Sequence, residues 1–169
     1  MREASSGVKE SKPVRILALD YGRARIGLAI ADAETALAQP LATLDRINRN
    51  EDMRRLRELV REHGVKQIVV GLPLRLDGSR GEMAEEAARF GERVRKQLGL
   101  PVEMVDERLT SWEAERLLEE HQGHTIRAAT GKKRNKAGAR PGVDALAAAL
   151  ILKEYLDRRQ AQSSEQDAK

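Results

Sequence analysis

Two short apolar runs stand almost back to back near the start of the chain, Val14-Arg15-Ile16-Leu17-Ala18-Leu19 and Ile26-Gly27-Leu28-Ala29-Ile30. Each is too short for a helix, so the pair reads as buried strands over 14–20 and 25–32, joined by a tight turn at Gly22. A buried hairpin has to be covered on its faces, which commits the chain to a layered sheet architecture. One carboxylate, Asp20, sits at the seam between the runs. Burying it alone would cost several kcal/mol, so a cation or a network of donors belongs beside it. A metal ion or phosphate chemistry answers that need; so does a hairpin turn in which Asp-x-Gly accepts backbone hydrogen bonds.

Downstream the pattern alternates. A third short strand is expected near 38–44. Asn50 is expected to cap a helix with Met53, Leu56, Leu59 and Val60 on one face and Gly64 at its end. Val65–Val70 reads as a buried strand ending in Gly71-Leu72-Pro73-Leu74. Beyond the Asp77-Gly78 turn, Met83, Ala87, Phe90, Val94 and Leu98 recur at helical spacing up to Gly99. Pro101 opens a strand, Val102–Val105, running into Asp106-Glu107-Arg108-Leu109. Thr110 and Glu113 form a capping box for a helix through Leu117 and Leu118. Residues 122–142 read as a mobile loop, and a last helix over about 142–158 is apolar nearly all round. The polar termini, 1–13 and 159–169, read as disordered tails around one domain, 14–158. A hairpin followed by strand–helix alternation implies an α/β fold, a mixed central sheet with helices on both faces.

Composition narrows the function classes. The 169 residues include no cysteine, which excludes a disulfide framework, a thiolate zinc site and a thiol nucleophile. No apolar run is long enough to span a membrane, and Met1–Lys12 lacks the apolar core of a secretory signal, so a cytoplasmic location is expected. The net charge is +4, a mild basic bias. Its distribution is more telling: Arg127, Lys132, Lys133, Arg134, Lys136 and Arg140 fall in a stretch with no acid between His121 and Val143. Aromatic residues make up only 2 % of the chain, too few for a base-stacking platform. Contact with nucleic acid should therefore be to phosphates and should weaken with salt.

Three acidic positions lie where strands end or a helix begins: Asp20, the Asp106-Glu107 pair, and Asp144 behind Pro141-Gly142-Val143. Ligands collect beyond the carboxyl ends of strands in open sheets, which makes Asp20 and Glu107 candidates for that edge. Asp144 alone could be no more than an acid favoured by a helix N-terminus. Asp106 and Glu107 could equally sit at a solvated strand end or pair with Arg108. Adjacent strand residues point to opposite faces, so only one of the two can face a site without a bulge.

Four motifs in order, Leu17-Ala18-Leu19-Asp20-Tyr21-Gly22 with Arg25-Ile26-Gly27-Leu28-Ala29, Val69-Val70-Gly71-Leu72-Pro73-Leu74 with Asp77-Gly78-Ser79, Asp106-Glu107-Arg108-Leu109-Thr110-Ser111, and Asp144-Ala145-Leu146-Ala147-Ala148, resemble the YqgF/RuvX family. These are bacterial nucleases similar to Holliday junction resolvases, and the resemblance covers about residues 14–157. It implies an RNase H-like (resolvase-type) fold. It also implies a cytoplasmic nuclease that processes the 5′ end of the small-subunit ribosomal RNA precursor during ribosome biogenesis, or one that acts on branched DNA. By the same resemblance Asp20, Glu107 and Asp144 are the catalytic, metal-binding acids, with Glu107 rather than Asp106 taken from the Asp-Glu-Arg motif.

An all-carboxylate set suits Mg²⁺ or Mn²⁺, hard ions that favour oxygen donors, and supports phosphodiester hydrolysis. Arg25 and Arg108 are expected either to grip the scissile phosphate or to pair with the acids, and Lys132, Lys133 and Arg134 to form a phosphate clamp. His121 and His124 read as surface residues, and Trp112 as packing. Two other classes compete: a nucleic-acid-binding assembly module with idle acids, and an actin- or Hsp70-type ATPase. The ATPase would need a second phosphate loop that Asp77-Gly78 does not match. Monomer and homodimer both remain open, since resolving a two-fold junction needs a dimer and trimming one RNA end does not.

Overall fold

The structure, a computed structural model, describes residues 13–107 and 142–168. Five strands form one sheet in the order β3-β2-β1-β4-β5. β1 (Arg15–Tyr21) and β2 (Arg25–Asp32) make the expected hairpin, with Leu17 opposite Ile30 and Asp20 opposite Gly27. β3 (Gln39–Asp45) adds antiparallel to β2 at the edge, where Pro40 is tolerated because an edge strand can spare a donor. On the other side β4 (Val65–Leu72) and β5 (Val102–Asp106) run parallel to β1. The sheet is therefore mixed, as the order of elements requires.

Period-two alternation sends the apolar side chains of β1 to two separate cores. Leu17 and Leu19 pack with Ile68, Val70, Met53 and Phe90 under the helices α1 (Arg49–His63) and α2 (Glu82–Leu98). Ile16 and Ala18 pack on the opposite face with Val69, Val105, Ile151 and Leu152 under α3 (Val143–Asp167). The helices α1 and α2 end at Gly64 and Gly99, as the spacing predicts.

Two boundaries differ from the sequence reading. Asn48, not Asn50, caps α1: its backbone is extended and its Oδ1 accepts the Glu51 amide at 2.9 Å, while Asn50 lies inside the first turn. The last helix does not stop near 158. It continues to Asp167, and residues 157–168 are exposed on every side. The extension is carried by local pairs rather than burial, with Arg158 bonding Glu154 and the Ser163 hydroxyl donating to the Arg159 carbonyl. The disordered tail assigned to 159–169 is thus helical over its described part. The helix expected after Thr110, and the basic loop, lie outside the described residues.

Candidate active site

The site follows from which face each strand residue takes. Asp20 shares its side of β1 with Ile16 and Ala18, so it faces α3. On β5, Val105 belongs to that same core, which puts Glu107 on the α3 side and Asp106 on the other. The Glu107 amide donates to the Leu72 carbonyl at 3.1 Å, so the ladder with β4 extends past the end of β5 and keeps the alternation. Glu107, and not Asp106, therefore shares the face of the sheet that Asp20 takes.

β4 lies between β1 and β5, so Glu107 can meet Asp20 only by crossing a strand. Gly71 makes the crossing possible. A Cβ built on Gly71 would lie 1.7 Å from Glu107 Oε1 and 2.6 Å from Ile151 Cδ1. The volume of the missing side chain is the space the carboxyl occupies. Gly27 plays the equivalent part on β2, directly opposite Asp20: a Cβ there would lie 1.9 Å from the Asp144 carbonyl oxygen. Its absence lets the first turn of α3 settle onto the sheet and carry Asp144 to Asp20. Glycine normally weakens a strand interior; here two of them flank the acid on neighbouring strands.

The electrostatics record the convergence. Burial, then the nearby Asp144 charge, pushes the Asp20 carboxyl up to about 6, against the opposing effect of its hydrogen bond with Glu107. Burial, then the Asp20 charge and that same hydrogen bond, pushes Glu107 up to about 8. Both shifts run toward the protonated form, and the hydrogen bond between the two carboxyls is one in which Glu107 donates and Asp20 accepts. Asp144 is turned to Arg25, whose Nε donates to Oδ2 at 2.9 Å. Between the two readings of Arg25, the structure has it pairing with a site acid.

In this arrangement no three His, Cys, Asp or Glu side chains among the described residues form a ready-made cage for a cation. The donor set nevertheless fits one. Burial first, and the neighbouring carboxylates second, disfavour the charged forms of Asp20 and Glu107, and a hard divalent ion is what such oxygens accept as countercharge. Asp20, Glu107 and Asp144 would be the residues to hold such an ion, which would supply the positive charge their carboxylates share. Of the other predicted residues, Arg108, Lys132, Lys133 and Arg134 lie outside the described residues, as do His121, His124 and Trp112.

Residues 14–158 match the model of the family described as RuvX, Holliday junction resolvase. The chain belongs to the RuvX family. It is 45 % identical over 86 % of its length to a protein of Koribacter versatilis covered to 88 %, and 44 % identical over 88 % to one of Anaeromyxobacter covered to 100 %; both carry the name "Putative pre-16S rRNA nuclease". Among solved structures, RuvC of T. thermophilus in complex with a Holliday junction substrate aligns with a TM-score of 0.50 at 16 % identity, over 87 % of this chain and 96 % of that one. That likeness establishes the RNase H-like fold expected from the sequence. Family membership makes the chain a nuclease, hence a hydrolase, of a class that uses divalent metals. No helix among the described residues is long and apolar enough to cross a membrane.

Sequence reasoning named Gly27 and Gly71 only as parts of motifs. A signal was present: each interrupts an otherwise apolar strand, where a glycine implies that something approaches the backbone closely.

Proposed function

We propose that RuvX-family residues Asp20, Glu107 and Asp144 of this chain hold Mg²⁺ or Mn²⁺ and hydrolyse a phosphodiester bond at the 5′ end of the small-subunit ribosomal RNA precursor. The observation that carries the reading is the meeting of the Asp20 and Glu107 carboxyls across Gly71, with the first turn of α3 that bears Asp144 seated over Gly27. A bound divalent ion would activate water and neutralise charge on the scissile phosphate. The chain's own part is to hold the three carboxylates in a half-buried edge that limits water, and to keep Arg25 beside Asp144. From there the guanidinium can turn to a phosphate oxygen once Asp144 is otherwise engaged. The names of the curated relatives support an RNA precursor as substrate, and a cytoplasmic setting accords with it. The Holliday junction description of the family supports branched DNA as a second reading, for which a homodimer would match the two-fold substrate.

Purified protein is expected to cleave precursor RNA only with Mg²⁺ or Mn²⁺ present, and Asp20→Asn to remove that cleavage while the circular dichroism spectrum is kept. Cleavage that persists in excess chelator contradicts the proposal. A four-way DNA junction in the same assay separates the two substrates.

A further inference from the structure

Tyr21 follows Asp20 in β1 and faces the other way, toward α1 and α2. There it borders a cleft of about 340 Å³ whose charged lining is Arg46, Arg49, Arg89, Arg93 and a single acid, Glu86. The inner wall is built and held. Arg46 Nε donates to Asp52 Oδ2 at 3.1 Å, its Nη1 donates to Tyr21 Oη at 3.1 Å, and its guanidinium lies 5.0 Å over the Tyr21 ring. That ring in turn rests on Phe90, with centroids 5.0 Å apart.

Glu86 does not neutralise the cleft. It accepts from Tyr21 Oη at 3.2 Å and from Arg23 Nη2 at 2.8 Å, so its charge is already engaged, with Arg89 adding a further positive field. Arg49 and Arg93 have no acidic partner among the described residues. A pocket with this many guanidinium groups is suited to phosphate oxygens, which they can bind in bidentate fashion. Of the two aromatic rings in the lining, Tyr21 is covered by Arg46 and Phe90 is buried beneath it, so neither offers a free face for stacking on bases.

We propose that this cleft anchors the phosphate backbone of the same nucleic acid whose scissile phosphate sits at Asp20, a reading that rests on the nuclease proposal above. A strand leaving the acidic face over the carboxyl end of β1 passes from Asp20 to Tyr21 and on to the arginines. The anchor is sequence-independent, because phosphates carry no base information.

The test uses full-length protein with Asp20→Asn to prevent cleavage, in EDTA, titrated with a stem-loop RNA bearing a single-stranded 5′ extension at several salt concentrations. Adding Arg49→Ala, Arg89→Ala and Arg93→Ala is expected to make the slope of log affinity against log salt shallower by about two to three, and to weaken binding at low salt by about tenfold or more. Lysine at the three positions is expected to keep most of the slope. With Asp20 intact, the triple alanine variant should still cleave bis(p-nitrophenyl) phosphate, which is too short to reach the cleft, at the parent rate. Unchanged slope and affinity overturn the proposal. So does protection of the cleft by inorganic phosphate alone with RNA affinity unaltered, which would make it a small-anion pocket. Failure of the nuclease reading shows separately, as no metal-dependent diester cleavage by the parent protein.

Discussion

The two faces of the sheet at the carboxyl end of β1 are built on opposite plans. On the α3 face, three acids are brought together by the absence of side chains at Gly27 and Gly71, with Arg25 paired to Asp144. On the α1–α2 face, four arginines are gathered beside Tyr21 and Phe90, and two of them, Arg49 and Arg93, have no acidic partner among the described residues. Neighbouring residues, Asp20 and Tyr21, serve the two faces because a strand alternates. In the functions proposed above, the acidic face would take a cation and the basic face an anion, and a metal-assisted phosphate substrate would supply both.

The largest expected effect breaks the basic side. Asp52 is the one buried charged residue among the described positions, and Arg46 is its ion-pair partner. Arg46→Ala should lower the unfolding free energy in urea by about 3–5 kcal/mol, because a buried carboxylate loses its countercharge. Binding of divalent ions at the acidic face should be unaffected.

Gly71→Ala attacks the acidic side. The new methyl takes the place of Glu107 Oε1, so the carboxyl must leave Asp20. Cleavage is expected to fall about 10- to 100-fold, as for loss of a group that orients a metal ligand. Stability should drop by only about 1–3 kcal/mol, the usual cost of overpacking. A variant that keeps full activity would mean that Glu107 does not act next to Asp20.

A smaller effect appears on titration. Both Asp20 and Glu107 have folded pKa values raised above their unfolded ones, near 6 and 8 against 3.8 and 4.5. The folded state therefore binds protons more tightly, and the stability this contributes is present below about pH 4 and is lost as the pH rises through 6 and 8. Metal-free protein should lose thermal stability between pH 5 and 9, and Glu107→Gln should flatten the upper part of that decline. A decline of the same size in both proteins would place the titrating group elsewhere.

Much of the acidic face was legible from local signals together with the family resemblance. Short apolar runs mark the strand ends at Asp20 and at the Asp106-Glu107 pair, the family resemblance singles out Glu107 and Asp144, and the burial of Val105 shows that Glu107 rather than Asp106 shares the face of Asp20. The basic cleft was not legible. Arg46, Arg49, Arg89 and Arg93 come from a loop and two helices, and each by itself reads as an ordinary solvated charge. The sequence drew attention instead to the cluster at 127–140. The Asn48 cap was missed because two asparagines stand two residues apart, and only the backbone angle tells which one lies outside the helix. The helix beyond 158 was missed because it buries nothing, so no apolar period marks it.

The most direct test of the account is to follow the side-chain carboxyl carbons of the protein by NMR during addition of Mn²⁺ at pH 7. The signals of Asp20, Glu107 and Asp144 are expected to broaden together at substoichiometric metal, ahead of every other acid. Broadening that reaches only one of the three, or that spreads first over exposed acids such as Glu58 and Glu92, would contradict a shared cation site.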